Sequence, residues 1–266
     1  MPAGLVTLLT DFGLADPFAG IVKGRILGRF PAARIVDLSH AIPAGHAGLA
    51  GFWLARAWRE FPPGTLHLAV VDPGVGTDRG VVLAGAGNQL LLAPDNGLLP
   101  EALGDIRDVE WRRMDPELPA RLGLLPLSAT FHGRDLFAPL AAELASGALS
   151  VESFGPPATP VQGELLPPPQ RSAGRITGRV VLVDHFGNLI TNIPDAWIAT
   201  LCQPTVTVAG RQLPLMARYS DTSEGAPLAL INAFGLLEVA VNRGRAEELL
   251  ALGAGSPIQV RAGLGT

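Results

Sequence analysis

The chain has 266 residues, 48% of them hydrophobic, and a formal net charge of −4. This apolar content excludes a wholly disordered chain, and the length is sufficient for two domains. Lys23 is the only lysine, so the chain offers a nucleic acid little to bind and no nucleic-acid partner is expected. No apolar run approaches the roughly 20 residues of a membrane helix, and the first residues lack the pattern of a secretory leader, so we expect a cytoplasmic protein without a membrane partner. Cys202 is the only cysteine, which excludes an internal disulfide.

The first half of the chain alternates short β-branched runs with longer amphipathic stretches, from LVTLLTD to GTLHLAVVD. Parallel strands joined by helices give this pattern, so an α/β domain is predicted. Asp16 and Pro17 are typical of a helix N-cap and first helical position. The helix that follows is expected to place four apolar residues near one face: Phe18, Ile21, Val22 and Phe30.

Two more helices are predicted in this half, over residues 47–61 and 134–145. Between them, RGVVLAGAG and QLLLAPDNG predict two antiparallel strands joined by a glycine-rich turn. These strands would extend the parallel sheet on one side.

A proline-rich stretch over residues 155–173 suits neither a helix nor a central strand, and it is predicted to be a linker. It would join an N-terminal domain of residues 1–154 to a C-terminal domain of residues 174–266. The latter contains short strands separated by turn residues, with one short helix at 246–252. We predict a small, mostly antiparallel β domain, a barrel or a sandwich.

Two aspartates follow predicted strands of the α/β domain. Asp11 ends LLTD and Asp72 ends AVVD, so both are expected at the C-terminal edge of the sheet, where ligands of open α/β folds bind. Aspartates before turns also bond the turn backbone without any further function, and spacing alone leaves both interpretations open. The segment GVGTDRG lacks the glycine spacing of a dinucleotide or phosphate loop.

Other polar residues lie before a helix and in turns. His132 in TFHGRDLF precedes the predicted third helix, and a lone histidine is more often structural than catalytic. In VDHFGNLITN, a predicted hairpin gathers Asp184, Phe186 and Asn188, and Tyr219 stands in RYSD. Polar turn residues and a surface aromatic need no function to explain them, so no single one of these signals identifies an activity.

Taken together, six blocks resemble the S-adenosyl-L-methionine hydroxide adenosyltransferase family: TDFG at 10–13, VDPGVGT-x-R at 71–79, APDNGLL at 93–99, TFHGRD at 130–135, DHFGN at 184–188 and LLEVAVNRG at 236–244. They keep the family's order over nearly the whole chain. The resemblance implies an N-terminal Rossmann-like α/β domain, a smaller C-terminal antiparallel β-barrel-like domain, and a homotrimer with active sites at subunit interfaces. It also implies hydrolysis of S-adenosyl-L-methionine to adenosine and L-methionine.

The resemblance implies that Asp72, Arg79 and His132 hold and activate the attacking water. A carboxylate can accept the proton of that water, a guanidinium can keep the carboxylate ionised, and an imidazole can orient the water or relay its proton. The leaving group is a neutral thioether, so nothing has to protonate the departing sulfur. The histidines show no metal-ligand spacing, and we expect neither a metal nor another cofactor.

Substrate contacts are implied residue by residue. Asp11 would bind the ribose hydroxyls, Asp184 would face the methionine ammonium, and Asn188 would bond the edge of the adenine. The resemblance also implies that Phe186 and Tyr219 flank the adenine. Further contacts are implied from segment 232–243, namely from Asn232, Glu238 and Val241. Ala233 and Phe234 stand where the fluorinating relatives have a serine and an arginine, so the partner of the methionine carboxylate is not assigned.

Two alternatives accompany this prediction. Halide-dependent adenosyl transfer is disfavoured because the halogenating relatives replace both Asp72 and His132 and carry a hydroxyl residue at the position of Gly133. The other alternative is a protein that senses adenosyl-methionine or adenosine and turns it over only incidentally. A sensor and a slow hydrolase share the same pocket, and only a measured rate separates them.

Overall fold

The computed structural model describes residues 4–104, 106–163 and 166–263. Its contacts divide the chain into an N-terminal unit, residues 1–165, and a C-terminal unit, residues 166–266. Residues 164 and 165 of the predicted linker lie outside the described residues. In other parts of that stretch, Pro157 forms a β-bridge with Arg112, and Gln170–Ser172 is a short strand. The exact limits of the linker and of the two domains stay a prediction.

The N-terminal unit alternates strands and helices as its sequence predicts. In chain order its elements are β1 Leu5–Thr10, α1 Phe18–Arg29, β2 Arg34–Ser39, α2 Ala47–Ala57, a 3₁₀ turn Trp58–Glu60, β3 Leu66–Val70, β4 Val81–Ala86, β5 Gln89–Pro94, α3 Leu98–Leu103, β6 Glu110–Arg113, α4 Leu118–Arg121, a π-helical turn Gly133–Phe137, α5 Ala138–Ser146 and α6 Val151–Phe154. The helices predicted over 47–61 and 134–145 are confirmed.

The six strands form one sheet in the order β2-β1-β3-β5-β4-β6. Strands β2, β1, β3 and β5 are parallel, and β4 pairs with β5 and β6 in antiparallel fashion. Gly87 and Asn88, both with positive φ, form the tight turn of the predicted β4–β5 hairpin. Alternate strand residues enter two cores: Leu8 and Leu68 pack with residues of α1 and α5, whereas Leu9 packs with residues of α2 and α3. Helices thus cover both faces of the sheet, as is usual for parallel strands.

The predicted cap and apolar face of α1 are partly wrong. Asp16 does not cap the helix, because Pro17 is the N-cap residue and no side chain accepts a capping hydrogen bond. The buried face consists of Ala19, Val22 and Ile26. These buried residues are three to four positions apart and form one stripe along the helix. Phe18 and Ile21 lie outside this stripe and are 43% and 36% exposed. Phe30 packs at the edge of the core as predicted.

The C-terminal unit is a nearly closed antiparallel barrel, one of the two predicted alternatives. Its elements are β7 Gln170–Ser172, β8 Arg175–Val183, β9 Leu189–Pro194, α7 Asp195–Ile198, β10 Thr205–Val208, β11 Arg211–Leu213, a 3₁₀ turn Tyr219–Asp221, β12 Pro227–Ile231, β13 Leu236–Val241, α8 Ala246–Leu250 and β14 Pro257–Arg261. The strand order is β11-β10-β14-β8-β9-β13-β12, with β7 paired to β8. Hydrogen bonds between Ala229 of β12 and the backbone of Pro214 and Met216 bring the two ends of the sheet together.

Candidate active site

Asp11 and Asp72 lie at the same edge of the N-terminal sheet, as their sequence positions predict. Asp11 directly follows β1, and Asp72 lies two residues after β3, which pairs with β1 in parallel. Both strands therefore deliver their aspartates to the C-terminal edge. Asn96, which the sequence analysis did not single out, donates its side-chain N–H to the carbonyl of Val71 at 2.9 Å. This bond fixes the backbone directly before Asp72.

Arg79 joins Asp72 and His132. Its Nε donates to Asp72 Oδ1 at 2.9 Å, its Nη2 donates to Asp72 Oδ2, and the same Nη2 lies 3.0 Å from His132 Nδ1. The guanidinium also lies 5.2 Å from the ring centre of Phe137. The side chains of Asp72 and Arg79 are 7% and 11% exposed. The structure thus brings the three predicted catalytic side chains into one bonded group with little contact to bulk water.

Gly76 allows the segment that carries Asp72 and Arg79 to approach the segment that precedes His132. It has φ +80°, and a Cβ added there would lie 2.1 Å from the carbonyl oxygen of Ala129. A backbone atom cannot move aside as a side chain can, so this position accepts only glycine. The approach of the two segments is one reason why Arg79 reaches His132.

His132 begins a π-helical turn over Gly133–Phe137 that continues into α5. Asp135 in this turn accepts from the backbone N–H of Ser128 at 3.0 Å and is paired with Arg134. The segment before His132 is therefore bonded to the turn after it. Single π turns within helices occur often at functional sites, because they redirect side chains at the cost of regular hydrogen bonding.

The bonding of His132 determines where its proton lies. Burial lowers the pKa of His132, the positive charge of Arg79 lowers it further, and Asp72 and Asp135 offset part of this effect. The ring is therefore neutral at pH 7. Because a guanidinium has only donors, Nδ1 accepts from Arg79 and Nε2 carries the proton. His132 can donate a hydrogen bond from Nε2, but it has no free nitrogen to accept a proton.

Asp11 is held in the turn after β1. Its Oδ2 accepts from the backbone N–H of Gly45 at 2.8 Å. Phe12, the next residue, forms edge-to-face contacts with Phe18 and Phe131 at 6.4 and 6.0 Å between ring centres. The Asp11 turn and the segment before His132 thus share one aromatic cluster.

Four of the predicted substrate-binding residues line one cavity of the C-terminal unit, with a volume of about 470 Å³. Phe186 and Tyr219 place exposed rings on it, and Asn188 and Val241 form other parts of its wall. An aromatic pair beside an amide can accept a planar heterocycle, because stacking holds its faces and the amide bonds its edge.

Tyr219 is fixed by a buried carboxyl group. Its hydroxyl donates to Glu238 Oε1 at 2.8 Å, and Glu238 is only 3% exposed. Burial is the main reason why the pKa of Glu238 is raised, and Asp184 adds to this effect. Burial also raises the pKa of Tyr219, and the bond to Glu238 contributes.

The remaining predicted residues take part in turns of the C-terminal unit. Asp184 accepts from the backbone N–H groups of Phe186 and Asn188, both at 2.9 Å, and from the side-chain amide of Asn188 at 3.1 Å. Asn232 Oδ1 accepts from the backbone of Phe234 and Leu236 in the turn before β13. These bonds are those of ordinary turn residues, and the assignment of Asp184 and Asn232 to substrate stays a prediction.

Within residues 4–104, 106–163 and 166–263, no group of three or more histidine, cysteine, aspartate or glutamate side chains is placed to hold a metal ion. In the same part of the chain, no helix has the length and apolar character needed to cross a bilayer.

The fold is similar to that of two solved structures. A crystal structure of an uncharacterized conserved protein from Thermotoga maritima has a TM-score of 0.85 and 32% sequence identity, covering 96% of this chain and 99% of the other. A conserved hypothetical protein from Thermus thermophilus has a TM-score of 0.74 and 37% identity, covering 96% of this chain and 98% of that one.

Named relatives match over almost their full length. An (R)-S-adenosyl-L-methionine hydrolase from Thermus thermophilus is 41% identical, covering 96% of this chain and 98% of the relative. A protein of the same name from Salinispora arenicola is 39% identical over 97% of this chain and 98% of its own. Residues 6–155 match the N-terminal domain of SAM hydroxide adenosyltransferases, and residues 178–259 match the C-terminal domain. The chain therefore belongs to the SAM hydroxide adenosyltransferase family.

Proposed function

We propose that this protein hydrolyses S-adenosyl-L-methionine to adenosine and L-methionine. The observation that carries this proposal is the bonded group of Asp72, Arg79 and His132 at the C-terminal edge of the sheet. The two relatives named as S-adenosyl-L-methionine hydrolases, at 41% and 39% identity, support the same reaction. A desolvated carboxylate beside an imidazole N–H provides a proton acceptor and a donor for one water molecule.

In the proposed reaction, the oxygen of that water forms a bond to the ribose 5′ carbon. The bond between this carbon and the sulfonium sulfur breaks, and its electron pair stays on sulfur, which becomes the thioether of methionine. Asp72 accepts a proton of the attacking water. Arg79 bonds both oxygens of Asp72 but leaves each with a further acceptor site, so the ion pair orients the carboxylate without blocking it.

His132 orients the water in this proposal and does not remove its proton. The Arg79 contact at Nδ1 and the lowered pKa leave one N–H, at Nε2, which can donate to the oxygen of the water. A water held in this way keeps a lone pair for the 5′ carbon. Fixing the nucleophile against the carbon contributes several kcal/mol to rate enhancement, on the order of 7 in well-oriented systems.

Substrate binding is proposed to use Asp11 for the ribose hydroxyls and Asp184 for the methionine ammonium. The adenine ring would stack on Phe186 and Tyr219, with Asn188 at its edge, because these side chains line one cavity. Asn232, Glu238 and Val241 complete the proposed set of contacts.

The proposed enzyme is a cytoplasmic homotrimer with active sites at subunit interfaces, and it uses no metal or redox cofactor. Exposed apolar side chains on the N-terminal unit support self-association, among them Leu14 at 78% and Phe18 at 43% exposure. Analytical ultracentrifugation of the full chain tests the trimer, and a monomer at micromolar concentration would contradict it. Activity is expected to survive a metal chelator.

The reaction is tested by incubating the purified chain with S-adenosyl-L-methionine in ¹⁸O-labelled water and identifying the products by mass spectrometry. We expect adenosine with the label at the 5′ oxygen, together with methionine. Methylthioadenosine or S-adenosylhomocysteine would contradict the proposal. A parallel incubation with chloride tests for 5′-chloro-5′-deoxyadenosine, and tight adenosine binding without turnover would favour the sensor alternative.

A further inference from the structure

A buried polar network surrounds the turn that carries Asp11. Thr10 and His40 are 0% and 5% exposed, and Thr10 Oγ1 lies 2.8 Å from His40 Nδ1. The backbone N–H of Phe12 donates to the same Thr10 oxygen at 3.2 Å, and the backbone N–H of Gly13 donates to the His40 carbonyl at 2.7 Å. The backbone before and after Asp11 is therefore tied to one histidine.

The network continues from Thr10 towards the surface. Thr10 Oγ1 accepts from the backbone N–H of Phe12 and also contacts His40 Nδ1, so two neighbours hold the hydroxyl. The other nitrogen of His40, Nε2, lies 3.1 Å from Asp37 Oδ1 without the geometry of a hydrogen bond. The second oxygen of Asp37 pairs with Lys23 Nζ at 2.6 Å. Polar side chains therefore extend from Lys23 at the surface to the Asp11 turn.

The segment after His40 also binds the Asp11 side chain itself. Gly45, five residues further along the chain, donates its N–H to Asp11 Oδ2. It has φ +75°, a conformation that glycine adopts without strain. One segment thus sets both the backbone of the Asp11 turn and the direction of its carboxylate.

Asp37, His40 and Thr10 have the residue types of a nucleophilic triad, but the geometry excludes that role. Thr10 has no exposed surface, and its hydroxyl is engaged by both Phe12 and His40. A nucleophile must reach a substrate atom. The network is therefore suited to holding a neighbouring group in place.

We propose that Thr10 and His40 are positioning residues that aim the Asp11 carboxylate at the ribose diol. The inference rests on the proposed function, in which Asp11 accepts hydrogen bonds from the two ribose hydroxyls. A carboxylate fixed before binding loses little conformational entropy when the diol arrives. Loss of the network would then weaken recognition of the hydroxyls without altering contacts to the adenine.

The test compares the dissociation constants of adenosine and 2′,3′-dideoxyadenosine by calorimetry, in the full chain and in Thr10→Val. The wild type is expected to prefer adenosine, and Thr10→Val should reduce this preference about tenfold, as expected for the loss of about one hydrogen bond. Thr10→Ser, which keeps the hydroxyl, should restore it. Because only the diol differs between the ligands, a general loss of stability would affect both equally.

Thr7 provides a matched control on the same strand. It is also 0% exposed, and its Oγ1 lies 2.8 Å from a buried histidine nitrogen, His67 Nδ1. Thr7→Val therefore removes the same type of bond at a position that has no contact with the Asp11 turn through this histidine, and it should lower stability without changing the preference for adenosine.

An unchanged preference in Thr10→Val, or an equal loss in Thr7→Val, would overturn the inference. Should Thr10→Val not fold, His40→Gln removes the same contact to Thr10 and is expected to give the same loss of preference. A wild-type chain that hydrolyses S-adenosyl-L-methionine while Thr10→Val keeps its preference refutes only the positioning role. A wild type that neither binds adenosine nor turns over the substrate refutes the proposed function and this inference with it.

Discussion

The two units present their candidate site residues in opposite ways. In the N-terminal unit, Asp72 and Arg79 are nearly buried and bonded to each other, with side-chain exposures of 7% and 11%. In the C-terminal unit, Phe186 and Tyr219 are 69% and 45% exposed. Charges that are desolvated and fixed in advance stabilise developing charge strongly, whereas exposed rings provide area for stacking. From this difference we expect rate enhancement from the bonded group of Asp72, Arg79 and His132, and affinity for the adenine from the C-terminal cavity.

The largest effect is expected from Asp72→Asn. The amide cannot accept the proton of the attacking water, and Arg79 loses its charged partner in a site with little solvent. We expect kcat to fall between about a hundredfold and about ten-thousandfold. Adenosine affinity, measured by calorimetry, should change little. Asp78→Asn is the matched control, since Asp78 is exposed on the same segment. A kcat of Asp72→Asn within a factor of about three of the control would remove Asp72 from the mechanism.

The next effect tests the close approach at Gly76. Gly76→Ala places a methyl group 2.1 Å from the Ala129 carbonyl and requires alanine at φ +80°. We expect the free energy of unfolding to fall by about 3 kcal/mol, together with a loss of kcat as Arg79 and His132 separate. Gly123→Ala is the control, because Gly123 has φ +65° but nothing within 4 Å of an added Cβ. Equal destabilisation in both variants would show that backbone strain alone matters, without the contact to Ala129.

Sequence predicts this fold well where short apolar runs alternate with amphipathic stretches. The buried runs of β1 and β3 and the turn at Gly87 and Asn88 need only local pattern, and the two strands define the sheet edge with Asp11 and Asp72. Phe18 and Ile21 show the limit of such predictions, because both are apolar and yet exposed. The residue type alone does not distinguish an apolar residue beside the buried stripe of a helix from one within it.

The candidate site could be predicted only through the combined motif blocks. Nothing in the sequence near His132 or Arg79 indicates that the two side chains meet, since 53 positions separate them. Asn96 and His40 went unnoticed for a related reason. Their partners, the Val71 carbonyl directly after β3 and Thr10 at the end of β1, lie at the ends of other strands, and only the strand order makes them neighbours. The one local signal that could have indicated Asn96 is its position as a polar residue two positions after the buried strand β5.

The buried histidine of β3, His67, makes the stability of the N-terminal unit pH-dependent. Burial lowers the pKa of His67 from its usual 6.5 to about 4, and the hydrogen bond to Gln89 offsets part of this decrease. The unfolded chain therefore takes up a proton at a higher pH than the folded chain. The free energy of unfolding should fall as the pH drops from 6.5 towards 4, by up to about 3 kcal/mol. Thermal unfolding of the wild type and His67→Gln over this range should show a smaller pH slope in the variant; equal slopes would contradict the prediction.

The aromatic cavity of the C-terminal unit is tested by Phe186→Ala. The ring is largely exposed, so the melting temperature should be nearly unchanged. Stacking on a nucleobase contributes about 1–3 kcal/mol, so adenosine affinity should fall by between about fivefold and about 150-fold. Leu249→Ala is the control, because Leu249 is 46% exposed in the same unit and does not line the cavity. A large fall in kcat at saturating substrate, with affinity unchanged, would contradict the division between the two units.

The smallest effect is expected from Glu238→Gln. The contribution of Glu238 to stability changes with pH in the opposite direction to that of His67. Burial raises the pKa of Glu238 above its usual 4.5, so the folded chain binds a proton that the unfolded chain has released. The favourable contribution to stability is thus present below pH 4.5 and is lost as the pH rises through the folded pKa. Glutamine resembles the protonated acid and can still accept from Tyr219, so the variant should melt at a higher temperature than wild type at pH 8 and at the same temperature near pH 4. A variant that is less stable than wild type at pH 8 would mean that the ionised carboxylate itself stabilises the cavity wall. In that case the C-terminal unit, like the N-terminal one, would depend on a fixed buried charge, and the contrast between the two sites would fail.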